Sequence, residues 1–89
     1  MVFNELTKKM WSVTVSSDYI LSNKNKELIT DLIDAECHNT IEKYKFILHD
    51  IIEENNFSEA IIEGNNLVIV NLLSVLKTNL PYRISYKKI

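Results

Sequence analysis

The chain has 89 residues, a quarter of them charged and nearly half apolar, with a net charge of −2. That is ordinary globular composition, enough for one domain with a modest core. A single Gly excludes glycine-rich phosphate cradles, and a single Cys excludes an internal disulfide or a multi-thiolate zinc site.

The charge is unevenly placed. Residues 1–26 carry a net +2, and residues 64–89 carry +4 with no acid. Residues 27–63 hold ten acids against Lys43 and Lys45, a net −8. No stretch reaches the roughly 18 apolar residues of a membrane span. The N-terminus has charges too deep for a secretory signal. The expectation is a single domain over residues 1–89, cytoplasmic and without membrane contact.

Residues 3–10 suit a short helical turn, with Phe3, Leu6 and Met10 on one side. Trp11-Ser12-Val13-Thr14-Val15 alternates apolar and polar with β-branched residues, so a strand is expected over 10–16. Ser16-Ser17-Asp18 is a turn signal, and Ser22 or Asn23 suits a helix N-cap.

From Asn23 onward the period becomes helical. Ile29, Ile33, Cys37, Tyr44, Ile47, Leu48 and Ile51 fall on one side, with Asp31, Asp34, His38, Glu42, Lys45, His49 and Glu53 opposite. A phase shift at His38-Asn39-Thr40, and the Asn39…Glu42 spacing of a capping box, divide the stretch into helices at 24–37 and 40–54. A rival reading makes 43–48 a strand with Tyr44, Phe46 and Leu48 inward.

Ser58–Glu63 reads as a short strand closed by Gly64. Leu67–Lys77 is apolar nearly all round, which predicts a buried helix at 66–78 that Asn65 or Asn66 can cap. The alternative is a hairpin from 60–63 through Gly64-Asn65-Asn66 into 67–70. Tyr82–Lys88 alternates as a closing strand, with Pro81 at its start.

The predicted class is therefore α+β: a three-stranded sheet packed on three helices in the order β-α-α-β-α-β. If 43–48 is a strand, the order becomes the ferredoxin-like βαββαβ. The first order resembles, in arrangement alone, the barstar-type ribonuclease inhibitors.

Several constellations could carry chemistry. Asp34, His38 and Glu42 would share a face of an unbroken helix, as would His49 and Glu53, and such rows can bind divalent ions. The break at Asn39 disrupts the first, and no metal or other cofactor is expected. Cys37 beside His38 points about 100° away from it, which argues against a nucleophile–base pair. The carboxylate pairs Asp31/Asp34, Glu53/Glu54 and Glu59/Glu63 lack room for a cleft of sugar size.

The acidic block is the strongest signal. Asp31, Asp34, Glu42, Asp50 and Glu53 would form an acidic helical face that attracts a basic protein. The expected function is a small non-catalytic binding protein that inhibits or neutralises such a partner. The partner would be a nuclease or other nucleic-acid-processing enzyme, and the chain an immunity protein, an antitoxin or a phage inhibitor. The alternative is an RNA- or DNA-binding module using Trp11, Tyr82, Arg83, Tyr86 and Lys87. Self-association into a homodimer through an exposed helix face is a further possibility.

Overall fold

Strand β1 (Lys9–Ser16) is the scaffold on which the other elements assemble in a computed structural model that describes residues 7–89. It pairs antiparallel with β3 (Phe57–Gly64) on one side and with β4 (Arg83–Lys88) on the other. Strand β2 (Ile47–Glu53) adds antiparallel to β3, so the sheet runs β2-β3-β1-β4. Helix α1 (Asn23–Cys37) joins β1 to β2, and α2 (Asn66–Asn79) joins β3 to β4. This is a small α+β domain with a four-stranded antiparallel sheet, two helices and the order βαββαβ. The three-stranded, three-helix plan and its barstar-type arrangement are thereby replaced. The proposed turn over residues 3–10 lies partly outside the described residues, and Lys9 and Met10 already belong to β1.

Alternation along β1 separates the two faces of the sheet. Trp11, Val13 and Val15 are buried beneath the helices, opposite Ile62, Ala60 and Ser58 of β3. Helix α1 contributes Ile29 and Ile33 to this core, and α2 contributes Val68, Ile69, Leu72 and Leu76. The helix over 66–78 is thus correctly expected, and is the more buried of the two; the hairpin alternative is not formed. Ser22 caps α1, its Oγ accepting from Asn25 N at 3.1 Å, and Asn65 caps α2, its Oδ1 accepting from Val68 N at 3.1 Å.

The expected helix over 40–54 does not exist. Helix α1 tightens at its end through His38 N to Ala35 O and Asn39 N to Glu36 O. Asn39 does not begin a second helix. Its Oδ1 accepts from Ile41 N at 2.8 Å, an Asx turn that redirects the chain. One 3-10 turn follows (Glu42–Tyr44), Phe46 is buried, and β2 begins at Ile47. The rival strand reading finds the element but sets it too early, because Tyr44 lies in the 3-10 turn.

The β2–β3 turn is tied to the loop after β1. Ser17 N donates to Asn56 O and Leu21 N to Asn55 O, both at 2.8 Å. No helix among the described residues is long and apolar enough to cross a membrane.

At the β3–α2 junction, Trp11 Nε1 donates to Gly64 O at 3.0 Å, and a Cβ placed on Gly64 would lie 2.8 Å from Val68 Cγ1. Val68 is β-branched, sits in the first turn of α2 and is buried, so it has little room to give way. Gly64→Ala is expected to destabilise the domain by about 1–3 kcal/mol, as overpacking does. Urea unfolding followed by circular dichroism measures this.

Candidate functional site: an acidic ridge beside an edge strand

The sequence placed five acids on one helical face, and the fold distributes them over three places. Asp31 and Asp34 are exposed on α1, with Glu27 one turn earlier on the same side. Glu53 ends β2 and faces the helix layer, where its Oε1 accepts from Thr30 Oγ1 of α1 at 3.0 Å. Thr30 lies one turn from both Glu27 and Asp34, so this hydrogen bond seats Glu53 beside the α1 acids. Glu27, Asp31, Asp34 and Glu53 thus make a ridge where α1 runs along the β2 edge.

Glu42 and Asp50 leave that face. Glu42 is in the 3-10 turn and pairs with Lys45 Nζ at 3.0 Å. Asp50 pairs in register with Ile61, whose side chain is on the sheet face away from the helices. The reason is strand alternation: Asp50 and Glu53 lie three residues apart in β2, an odd spacing that puts them on opposite sides of the sheet.

The acids divide by what they do in the fold. Asp18 pairs with Arg83 at 3.2 Å, and Glu63 Oε1 lies 3.0 Å from His49 Nε2. Glu59 accepts from Ser12 Oγ, and Glu36 accepts from Asn39 and Asn71. The four ridge acids have no cation partner among the described residues; Glu53 alone is hydrogen-bonded, to a hydroxyl. Glu27 joins the ridge through helix spacing, one turn before Asp31.

The basic-aromatic set is split by the sheet. Trp11 is buried under the helices. Tyr86, on the same face, sets its ring 6.0 Å from the Trp11 ring at 52°. Tyr82 is half-buried and packs against the core. Arg83 and Lys87 pair with Ser16 and Ser12 and point to the opposite face. Bases stacked on these rings would therefore not have their phosphates beside these cations.

The remaining constellations are also separated. His38 caps the end of α1, with Nδ1 3.1 Å from Asp34 O, and Glu42 lies beyond the turn. Among the described residues no group of three His, Cys, Asp or Glu side chains is placed to hold a metal ion. Cys37 is half-buried and its thiol donates to Phe46 O at 3.1 Å, tying the end of α1 to the residue before β2.

The Trp11 indole is enclosed by Gly64, Tyr86 and the helix layer. Its fluorescence emission is expected to be blue-shifted, and unchanged on titration with single-stranded RNA or DNA at 50 mM salt. Quenching by oligonucleotide would place a base against the ring and contradict the burial. No family model, curated protein or solved structure matches this chain.

Proposed function

We propose that this chain is a non-catalytic binding protein that docks on a basic protein through the ridge formed by Glu27, Asp31, Asp34 and Glu53. The observation that carries this reading is their collection along one edge with no cation of the described fold to neutralise them. On α1 the acids at 27, 31 and 34 span about 10 Å, at 1.5 Å per residue. Glu53 broadens the row towards β2. Such a ridge concentrates negative potential, speeds encounter with a basic surface and weakens as salt screens it.

Basic surfaces belong characteristically to enzymes that handle nucleic acid, because they must attract phosphates. A carboxylate row on a small folded domain can occupy such a surface in place of the phosphates. The reading is therefore an inhibitor of a nuclease or another nucleic-acid-processing enzyme, acting in the cytoplasm in the manner of an immunity protein, an antitoxin or a phage-encoded inhibitor. The partner contacts are Asp31, Asp34 and Glu53, joined by Glu27, while Glu42 and Asp50 drop out of the contact set because the fold turns them elsewhere.

The test is capture from lysate at low salt, followed by binding and inhibition measurements with the purified partner. A basic nucleic-acid-processing enzyme should be retained, released as salt rises, and inhibited stoichiometrically. The triple variant Asp31→Lys, Asp34→Lys, Glu53→Lys should bind at least about tenfold more weakly while keeping its circular dichroism spectrum. Capture of no basic partner, or affinity indifferent to the triple reversal, would refute the reading.

A further inference from the structure

The helices cover one face of the sheet, and the opposite face carries a pattern the acidic ridge does not use. Strand pairing sets its residues in rows across the four strands. Lys87, Ser12, Ile61 and Asp50 form one row, in the order β4, β1, β3, β2. Ser85, Thr14, Glu59 and Ile52 form the row beside it. On the other side of the Lys87 row, Met10, Glu63 and Ile47 make a third. Ile89, whose N–H bonds Met10 O at 2.9 Å, continues that row past β4. Lys87 thus stands at the β4 edge of the face and Asp50 at its β2 edge. Lys87 and Asp50, at opposite ends of one row, are both exposed and have no ion-pair partner among the described residues. Ile47, Ile52 and Ile89 are exposed large apolar side chains on the same face.

We propose that this open face is the interface of a homodimer, with a two-fold axis lying between the two sheets and parallel to the strands. That operation lays β4 of one copy over β2 of the other at the same level. Lys87 then meets the second copy's Asp50, and Ile89 meets the second copy's Ile47; symmetry makes each contact twice. The face is complementary to itself in charge, which selects a second copy as its occupant. An axis across the strands would instead stack each strand on itself and bring like charges together.

Four strands about 4.8 Å apart and about 25 Å long give a footprint of roughly 500 Å² per copy. About 1,000 Å² in total is at the lower end of specific interfaces, the size of a weak and reversible association. The acidic ridge lies on the helix side and stays free in the dimer.

Sedimentation equilibrium between about 5 and 500 µM at low salt tests the proposal. The wild-type chain should pass from monomer to dimer across this range. Lys87→Glu alone, and Asp50→Lys alone, should each weaken dimerisation by about tenfold or more. The double variant carrying both reversals should recover it, because each exchanged pair is again opposite in charge. Circular dichroism controls for folding, since both sites are exposed. A monomer at every concentration, a dimer indifferent to the single reversals, or a double variant no better than either single one would overturn the proposal. Loss of the dimer in the triple ridge variant would also overturn it, by placing the interface on the other side of the molecule.

Discussion

The junction of β3 with α2 is the constraint on which the architecture depends. Trp11 of the central strand donates its indole N–H to Gly64 O, and Lys9 Nζ reaches Asn66 Oδ1 at 3.2 Å. Between them Asn65 caps α2, and Val68 closes over Gly64. These contacts fix where β3 stops and at what height α2 starts back across the sheet. A side chain at Gly64 would lift the first turn of α2 from the strand, and Ile69, Leu72 and Leu76 would lose their depth. A small domain has little surplus burial to absorb such a shift. The one glycine of the chain therefore stands where Val68 of α2 leaves no room for a Cβ.

Most of the fold was legible because each element kept a single period. Strand β1 alternates without interruption, α1 carries Ile29 and Ile33 one turn apart beneath its cap, and α2 is apolar enough that only burial explains it. The failure at β2 has a specific cause. The bulge between Leu48 and Asp50 inserts one residue, so Leu48 and Ile51 both turn towards the helices at a spacing of three. Three is a helical spacing, and a strand carrying a bulge imitates it. The Asn39…Glu42 pair reinforced the error, since an Asx turn and a helix cap draw on the same residue types.

The misread strand also decides what was legible in the site. A helix over 40–54 would have gathered Glu42, Asp50 and Glu53 with the α1 acids. A bulged edge strand sends Asp50 to the open face and Glu53 to the helix side. The net −8 of residues 27–63 is a property of the sequence, whereas its division between two faces follows from the alternation of a strand where a helix was expected. The basic-aromatic group fails for the simpler reason that strict alternation over 82–88 must separate Arg83 and Lys87 from Tyr82 and Tyr86.

Edge charge also bears on how copies of such a sheet can meet. Among the described residues β2 and β4 are the outer strands of the sheet, and edge strands invite edge-to-edge pairing. Pairing β4 with β4 would crowd Arg83, Lys87 and Lys88 against their own kind. Pairing β2 with β2 would crowd Asp50 and Glu53, and the bulge distorts the ladder there. Like charges directly opposite on paired strands are destabilising, so neither edge favours pairing with its own counterpart. Stacking the open faces about an axis along the strands reverses the sign of the same interactions, because β4 then lies over β2. One arrangement of charges thus opposes the pairing of like edges and favours a face-to-face pair. It does so while leaving the α1 ridge, on the far side of the sheet, free to engage a different molecule.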